Sequence, residues 1–146
     1  MNAIALLIRI DGDVEEVYRK VATLDGIAAW FAEANSEDYA PGNRLRLFSK
    51  DSCEFDVVSM KPNLEIEWDC VSEGNIWTNT KIRFTFERGD SKTFVRFDHS
   101  GWPEVTDIYR DCAMSWAYFL ESLKLLVETG KGTPEAIAPP CEIDSL

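Results

Sequence analysis

The stretch Asp107–Gly130, DIYRDCAMSWAYFLESLKLLVETG, decides the fold of this chain. Its apolar residues recur at spacings of three and four, which is typical of an α-helix with one broad apolar face. They are Ile108, Cys112, Trp116, Phe119, Leu120, Leu123, Leu126 and Val127. Thr106 or Asp107 can cap the start of this helix, and Gly130, with Pro134 beyond it, predicts its end. Because no other long helix is indicated, this apolar face needs a sheet to cover it.

The middle of the chain predicts that sheet, because its apolar residues alternate with polar ones at a period of two. The clearest example is Leu64–Cys70, in which leucine, isoleucine, tryptophan and cysteine alternate with acids. Further strands are predicted at Leu45–Leu47, Phe55–Val57, Thr78–Phe86 and Thr93–His99. Pro62, Gly74 and Gly89 mark the turns between them.

The first third of the chain predicts one strand and two short helices. Ala3–Asp11 is a short apolar run and therefore a strand. Asp13 is suited to cap a helix that Asp25-Gly26 breaks, and Ile27–Glu33 predicts the second helix. Asn35–Asn43 is expected to be a polar loop. The predicted fold is therefore α+β, with about six antiparallel strands in a curved sheet and the long C-terminal helix across its concave face.

The composition bounds the partners of this protein. The 146 residues suit one domain, predicted over residues 1–131, with residues 132–146 as a tail. The formal net charge of −11 argues against nucleic acid and anionic membranes as partners. The apolar run Ala3–Ile10 lacks a basic flank and is far shorter than the ~20 residues that span a bilayer. We therefore expect a cytoplasmic protein.

The cysteine and histidine residues indicate no metal site. Cys53, Cys70, Cys112 and Cys141 are widely scattered, so we expect reduced thiols rather than a disulfide framework or a metal centre. His99 is the only histidine, which excludes a site built from several histidines. No cofactor-binding motif is present either. The sequence therefore predicts neither a metal nor a cofactor.

Five segments together resemble a known family. They are Leu24–Phe31, Pro41–Leu45, Lys61–Trp68, Thr93–Trp102, and Trp116–Lys124 with Glu128–Gly130. This pattern is similar to the bacterial single-domain branch of the SRPBCC superfamily that is named after the activator of the 90-kDa heat-shock protein ATPase. The resemblance extends from Ala3 to Gly130 and implies the START-like, helix-grip fold. It also implies a cavity for a small apolar or aromatic molecule, and some superfamily members are cyclases or hydrolases. The co-chaperone that names the family has a separate N-terminal domain, which is not expected here because the sequence begins directly at the first predicted strand.

Residues expected to point between the sheet and the helix are the candidates for lining such a cavity. They are Trp30, Trp68, Ile82, Phe84, Phe97, His99, Cys112, Trp116 and Phe119. Trp68 and Trp116 are expected to face each other, either as a wall for a stacked ligand or as ordinary core aromatics. His99 is either a polar anchor of the cavity or a hydrogen-bonded framework residue. Large side chains can also fill such a space completely, so a closely packed interior stays open as an alternative.

Three functions remain open at this point. The first is binding of a neutral apolar or aromatic molecule, since no inward arginine or lysine is expected. The second is an enzyme that uses the same cavity, with His99 or an acid from Glu33–Asp38 as proton carrier. The third is a protein-interaction module of co-chaperone type. No nucleophile, paired-carboxylate or phosphate-loop motif is present, so the sequence favours a protein that is not an enzyme.

A narrower second stripe on the long helix concerns assembly. Met114, Tyr118 and Leu125 lie roughly opposite Trp116 by the helical period. We expect this stripe to be covered, either by the tail through Ile137 or by a second subunit in a homodimer.

Overall fold

The computed structural model describes residues 2–48 and 53–134. Seven strands and three helices follow one another in these residues. They are β1 (Asn2–Ile10), α1 (Val14–Ala22), α2 (Leu24–Trp30), β2 (Ala34–Asn35), β3 (Arg44–Leu47), β4 (Cys53–Lys61), β5 (Glu65–Cys70), β6 (Lys81–Arg88), β7 (Thr93–Trp102) and α3 (Asp107–Thr129). The predicted α+β order is confirmed. The predicted tail from residue 135 onward, with Ile137 and Cys141, lies outside the described residues.

All seven strands form one antiparallel sheet in the order β1-β7-β6-β5-β4-β3-β2. The sheet has one strand more than predicted, because Ala34 and Asn35 pair with Leu47 and Arg46. The sequence predicted a polar loop from Asn35 onward. A strand of two residues is too short to show an alternating pattern, so periodicity does not reveal it.

The alternation in the central strands separates a core face from a solvated face. Inward residues such as Ile82, Phe84 and Phe97 are fully buried. The other face carries cross-strand ion pairs, for example Arg83 with Glu65. Such exposed pairs contribute less than about 1 kcal/mol each to stability. Burial on the core face therefore sets the register of the sheet.

Helix α3 packs its apolar stripe on the core face and also covers the free edge of β1. Strand β1 pairs only with β7, so every second peptide group on its other side needs a partner from outside the sheet. Side chains of α3 supply three such bonds. They join Tyr109 Oη to Ala3 O at 2.9 Å, Lys124 Nζ to Arg9 O at 2.7 Å, and the Asp11 N–H to Glu128 Oε2 at 2.8 Å. The helix is thereby held along the whole length of the edge strand.

The ends of α3 agree with the sequence. The Thr106 hydroxyl accepts a hydrogen bond from the Tyr109 N–H at 3.2 Å, which caps the start. Gly130 adopts a left-handed conformation with φ 89° and donates its N–H to Leu126 O. A glycine takes this conformation without the steric penalty that a Cβ would cause.

The boundary between α1 and α2 differs from the prediction. Asp25 and Gly26 do not break the helix but lie inside α2, whose start is capped by the Thr23 hydroxyl accepting from the Gly26 N–H. The side chain of Asp13 makes no cap hydrogen bond to α1. Gly26 is required by close packing, since a Cβ there would lie 2.4 Å from Lys20 O. The sequence therefore predicted two helices here, but it placed the second at Ile27–Glu33 instead of Leu24–Trp30 and misread the role of this glycine.

The cysteines correct one expectation. Cys70 and Cys112 are buried free thiols, as expected. Cys53 is disulfide-bonded, so the expectation of a reduced thiol is wrong for this residue. A scattered spacing does not reveal which cysteines the fold brings together, since disulfide pairing depends on distance in space.

No helix in residues 2–48 and 53–134 is both long and apolar enough to cross a membrane. Within the same residues, no group of three or more histidine, cysteine or acidic side chains is arranged to hold a metal ion.

We predict that Gly26→Ala lowers the free energy of unfolding by about 1–3 kcal/mol, because the added methyl group overlaps the Lys20 backbone. In an open helix the same change would be stabilising by up to about 1 kcal/mol, so the sign of the effect is diagnostic. Urea denaturation measures it. The control is Ala28→Ser on the exposed side of α2, which should shift stability by less than about 0.5 kcal/mol. A stabilised Gly26→Ala protein would contradict the close approach.

Candidate functional site

The structure brings all nine candidate side chains into one core. Each is at most 1% exposed; the eight hydrophobic ones belong to one cluster of buried residues, and His99 contacts that cluster through Trp77 and Trp116. They are Trp30 from α2, Trp68 from β5, Ile82 and Phe84 from β6, Phe97 and His99 from β7, and Cys112, Trp116 and Phe119 from α3. All nine side chains therefore lie in the interior, and their role as ligand-binding residues stays a prediction.

The aromatic rings of this core contact one another in a continuous series. Phe84 lies 5.3 Å from Trp68 and 5.3 Å from Phe97, measured between ring centroids. Phe97 lies 4.3 Å from Trp116. Trp68 and Trp116 were expected to face each other, but these two phenylalanines connect them instead. The interior around these rings is closely packed, which is the alternative that the sequence left open.

Further aromatic residues that were not among the nine candidates belong to this core, including Phe31, Phe55 and Trp77. Phe31, directly after α2, lies 5.0 Å from Trp116 and 4.8 Å from Phe119. Phe55 of β4 lies 5.8 Å from Trp68. Trp77 stacks on Trp116 at 5.6 Å with an interplanar angle of 17°.

Trp77 was missed because it lies in the β5–β6 connection (residues 71–80), where no periodic pattern applies. The sequence predicted a strand from Thr78, whereas β6 begins at Lys81. Asn79 has φ 66°, which ends the turn in a left-handed conformation. The available signal was the tryptophan itself, since so large an apolar side chain next to a turn is usually buried.

His99 lies at the centre of a buried hydrogen-bond chain. The Trp116 indole N–H donates to His99 Nδ1 at 3.0 Å, so that nitrogen carries no proton. The neutral ring then carries its proton on Nε2, which lies 2.9 Å from Thr80 Oγ1. The Thr80 hydroxyl in turn donates to Trp77 O at 2.6 Å. Both ring nitrogens are therefore used inside the protein, which makes His99 a framework residue in this arrangement.

Burial also determines the charge of His99. The ring is completely buried, and this loss of solvation lowers the pKa of His99 to about 3. The imidazole is accordingly neutral near pH 7. A neutral ring with both nitrogens in internal bonds is poorly placed to exchange protons with a substrate.

The tryptophan N–H groups divide into two sets. Three of them donate within the core. These bonds are Trp30 Nε1 to Lys20 O at 2.9 Å, Trp68 Nε1 to Tyr39 Oη at 3.1 Å, and Trp116 Nε1 to His99 Nδ1 at 3.0 Å. The other two, in Trp77 and Trp102, are buried and have no oxygen or nitrogen acceptor, and the Trp77 N–H has only the weakly accepting Cys112 thiol beside it. Both of these rings contact His99 edge-on, at 5.0 and 4.9 Å between centroids.

Cys112 lies at the same end of the core. Burial raises the pKa of its thiol to about 11, and the Trp77 indole N–H opposes this rise. A thiol with so high a pKa is almost entirely protonated near neutral pH and therefore weakly nucleophilic. Cys112 acts there as a small apolar side chain.

A shallow apolar groove opens at the surface beside Trp77 and Trp102. It has a volume of about 190 Å³ and lies between the end of β7 and the start of α3. Ile76, Trp102, Pro103, Glu104, Thr106 and Ile108 line it, and we call it the Trp102 groove.

A second cleft, of about 390 Å³, is polar and lies elsewhere. It is lined by Ser36, Glu37, Asp38, Asn43, Arg44 and Arg46. The acids of the segment Glu33–Asp38, which are Glu33, Glu37 and Asp38, are exposed at the surface. None of the nine candidate residues lines either of these two openings.

The comparisons with known proteins agree with this architecture. Residues 11–128 match the family model described as "Activator of Hsp90 ATPase homolog 1-like protein". The Aha1 dimer from Colwellia psychrerythraea is 33% identical, with a TM-score of 0.81 over 90% of this chain and 100% of that one. A search of the curated proteins found no match.

More distant solved structures share the fold alone. CalU16 from Micromonospora echinospora is 20% identical, with a TM-score of 0.76 over 91% of this chain and 78% of that one. DynU16, from the dynemicin biosynthetic locus, is 19% identical, with a TM-score of 0.77 over 90% of this chain and 49% of that one.

A curved antiparallel sheet gripping one long helix, with an aromatic interior between them, defines a helix-grip domain of the SRPBCC superfamily. Within that class, the match over residues 11–128 decides the assignment. The chain belongs to the family of activator of Hsp90 ATPase homolog 1-like proteins.

We predict that His99 stays neutral in the folded protein well below pH 6. As the only histidine, it gives a single set of ring signals in a nuclear magnetic resonance pH titration. Those signals should show a proton on Nε2 and none on Nδ1, without a titration step near the ordinary pKa of about 6.5. A step near that value would contradict the buried chain.

The same shift predicts a pH dependence of stability. Between pH 6.5 and about 3 the unfolded chain protonates His99 while the folded protein does not, so stability falls as the pH is lowered through this window. The fall should be up to about 1.4 kcal/mol per pH unit. His99→Asn, which cannot titrate, should lose this part of the slope and keep the part due to carboxylates. Urea denaturation at several pH values measures the difference, and equal slopes would count against it.

Proposed function

We propose that this protein binds a small neutral apolar or aromatic molecule between the sheet and α3, at the end where Trp77, Trp102, Trp116 and His99 meet. The observation that carries the proposal is the pair of buried indole N–H groups without partners in Trp77 and Trp102. Buried polar groups are nearly always hydrogen-bonded, so two exceptions beside one histidine need a reason. A ligand that brings an acceptor atom would supply one.

The surroundings favour a neutral ligand. The buried polar residues among the described part of the chain are Thr80, Thr93, His99, Ser115 and Ser122, and none of them carries a charge near pH 7. An anion placed among the aromatic rings would lose its hydration without gaining an ion pair. Family membership supports the same proposal, since the fold is that of a ligand-binding domain.

The enzymatic alternative finds less support in this interior. Its two suggested proton carriers were His99 and an acid from residues 33–38. The pKa of His99 is lowered to about 3 and its nitrogens are occupied. The acids of that segment lie exposed, away from the buried rings. The co-chaperone alternative rests on the family description, and we base no further step on it.

A second proposal concerns assembly, in which α3 pairs with α3 of a second copy. The outer stripe of the helix stays uncovered within the described residues, with Met114 72%, Tyr118 37% and Leu125 37% exposed. The relative from Colwellia psychrerythraea is a dimer and is 33% identical. Apolar side chains concentrated on one helix face are typical of such interfaces.

A cytoplasmic location is part of the proposal. The apolar N-terminal run supports it, because this run forms strand β1 and pairs with β7 along its whole length.

Ligand binding is tested by calorimetric titration with 2-naphthol and with 2-naphthoate, which share a ring system and differ in charge. We expect saturable binding of the neutral compound and none of the anion. Trp116→Phe should weaken binding about tenfold, because it removes ring area at the centre of the site. The control Leu64→Ala changes an exposed side chain and should leave the affinity unchanged. Absence of binding by any neutral aromatic probe would reject the proposal.

Assembly is tested by sedimentation velocity over a range of micromolar protein concentrations. The wild-type protein should sediment as a dimer, and a variant with both Met114→Lys and Tyr118→Lys as a monomer, because two lysines would face the partner. The matched control Leu64→Lys adds a charge at a position that is 61% exposed and lies away from α3. A monomeric wild-type protein, or a double variant that remains dimeric, would reject this interface.

A further inference from the structure

We infer that the indole ring of Trp77 occupies the ligand site in the free protein, and that a planar bicyclic aromatic molecule binds by displacing this ring into the Trp102 groove. This inference rests on the proposed function and names the side chain that has to move.

Trp77 is held in the core in the manner of a stacked ligand. Its ring lies nearly parallel to Trp116 at 5.6 Å and meets His99 edge-on at 5.0 Å, with an interplanar angle of 88°. On the other side, Phe55 lies 6.1 Å away. The three neighbours come from α3, β7 and β4, whereas Trp77 comes from the β5–β6 connection. It is the one fully buried tryptophan of the described residues that no helix or strand supplies.

The hydrogen bonds of Trp77 favour motion of the side chain rather than of the backbone. Its main chain is fixed, because the Trp77 N–H donates to Asn75 Oδ1 at 2.7 Å and Trp77 O accepts from Thr80 Oγ1 at 2.6 Å. The indole N–H has no such partner. Rotation about the side-chain bonds therefore breaks no hydrogen bond of Trp77 to oxygen or nitrogen and gives up only the weak contact of its indole N–H with the Cys112 thiol.

The lack of an oxygen or nitrogen acceptor for its indole N–H distinguishes Trp77 from the other fully buried tryptophans. Moving Trp30, Trp68 or Trp116 would break a hydrogen bond of 2.9 to 3.1 Å in each case. Moving Trp77 would instead return an unpartnered N–H to water. Leaving such a group buried costs about 1–3 kcal/mol, and this cost is recovered when the ring leaves the core.

The surface next to Trp77 offers a place for the displaced ring. The Trp102 groove begins at Ile76, the residue directly before Trp77, and is mostly apolar in its lining. Its volume of about 190 Å³ is large enough for a bicyclic ring such as indole. One face of the displaced indole would rest on the apolar side chains of the groove, while its N–H and outer edge would face water.

The chemistry of the vacated site indicates the class of ligand. A flat ring system of indole size would stack on Trp116 between Phe55 and His99. The nitrogens of His99 are already bonded, but Trp102 keeps an unpartnered N–H beside the same imidazole ring. A hydrogen-bond acceptor on the ligand is therefore favoured over a pure hydrocarbon. The pair 2-methoxynaphthalene and 2-ethylnaphthalene tests this point, since they differ by one oxygen in place of a methylene group.

The experiment uses the full chain labelled with 5-fluorotryptophan, whose five fluorine signals are assigned by single Trp→Phe variants. On saturation with 2-methoxynaphthalene, the Trp77 signal should become sensitive to exchange of water for deuterium oxide, and the signals of Trp30 and Trp68 should not. Trp77→Ala should bind the probe at least tenfold more tightly than the wild type, since no ring has to be displaced. Leu64→Ala, which changes an exposed side chain outside the candidate site, should show no gain.

The outcomes separate this inference from the proposed function. Saturable binding with the Trp77 signal still protected, or with no gain in Trp77→Ala, overturns the displacement and leaves the proposed function standing. Failure of the wild-type protein to bind any neutral aromatic probe rejects both. If Trp77→Ala does not fold, Trp77→Leu replaces it, and the fluorine measurement on the wild-type chain decides without either variant. Tighter binding of 2-ethylnaphthalene than of 2-methoxynaphthalene overturns the role assigned to Trp102.

Discussion

The hydrogen bond from the Trp116 indole to His99 Nδ1 joins the long helix to the sheet, and much of the interior depends on it. The bond continues through Thr80 to the carbonyl of Trp77, so α3, β7 and the β5–β6 connection share one buried polar chain. Such a chain is favourable only when every member is satisfied. A rotation of α3, or a slip of β7 by one residue, would leave a polar atom of His99 unpaired in the core. The chain therefore specifies how the helix sits on the sheet, which apolar contacts alone would leave less defined.

The second constraint is the open edge of the sheet. Strand β1 is nine residues long and largely apolar, which would make its free edge a template for another chain. Tyr109, Lys124 and Glu128 bond to its outward peptide groups, so the same helix that fills the concave face also protects the edge. The opposite edge is only the two-residue strand β2. An α3 held on two sides has little freedom to move outward.

Periodicity in the sequence predicted the elements that are regular and long. The spacing of the apolar residues from Ile108 to Val127 predicts a helix, because apolar residues three and four positions apart lie on the one face that packs on the sheet. The observed helix α3 covers this stretch and ends at Thr129. The same reasoning identified the inward set that includes Phe84 and Phe97. It could not identify Trp77, because a side chain that turns into the core from an irregular connection has no period. Gly26 shows a related difficulty, since a glycine that permits close packing looks in sequence like a glycine that ends a helix.

A closely packed interior is compatible with a ligand-binding fold when the packing is not equally strong everywhere. Most of the core could not yield to a ligand, because its tryptophans are both buried and hydrogen-bonded. Trp77 and Trp102 are buried without that bond, and each unpaired N–H costs about 1–3 kcal/mol. Against a total stability of about 5–15 kcal/mol for a typical domain, this is a substantial local penalty. The penalty is concentrated next to Trp116 and His99, whose own bonds keep them in place. A rigid wall beside a weakly held ring is the arrangement in which a ligand can replace a side chain while the rest of the fold stays intact.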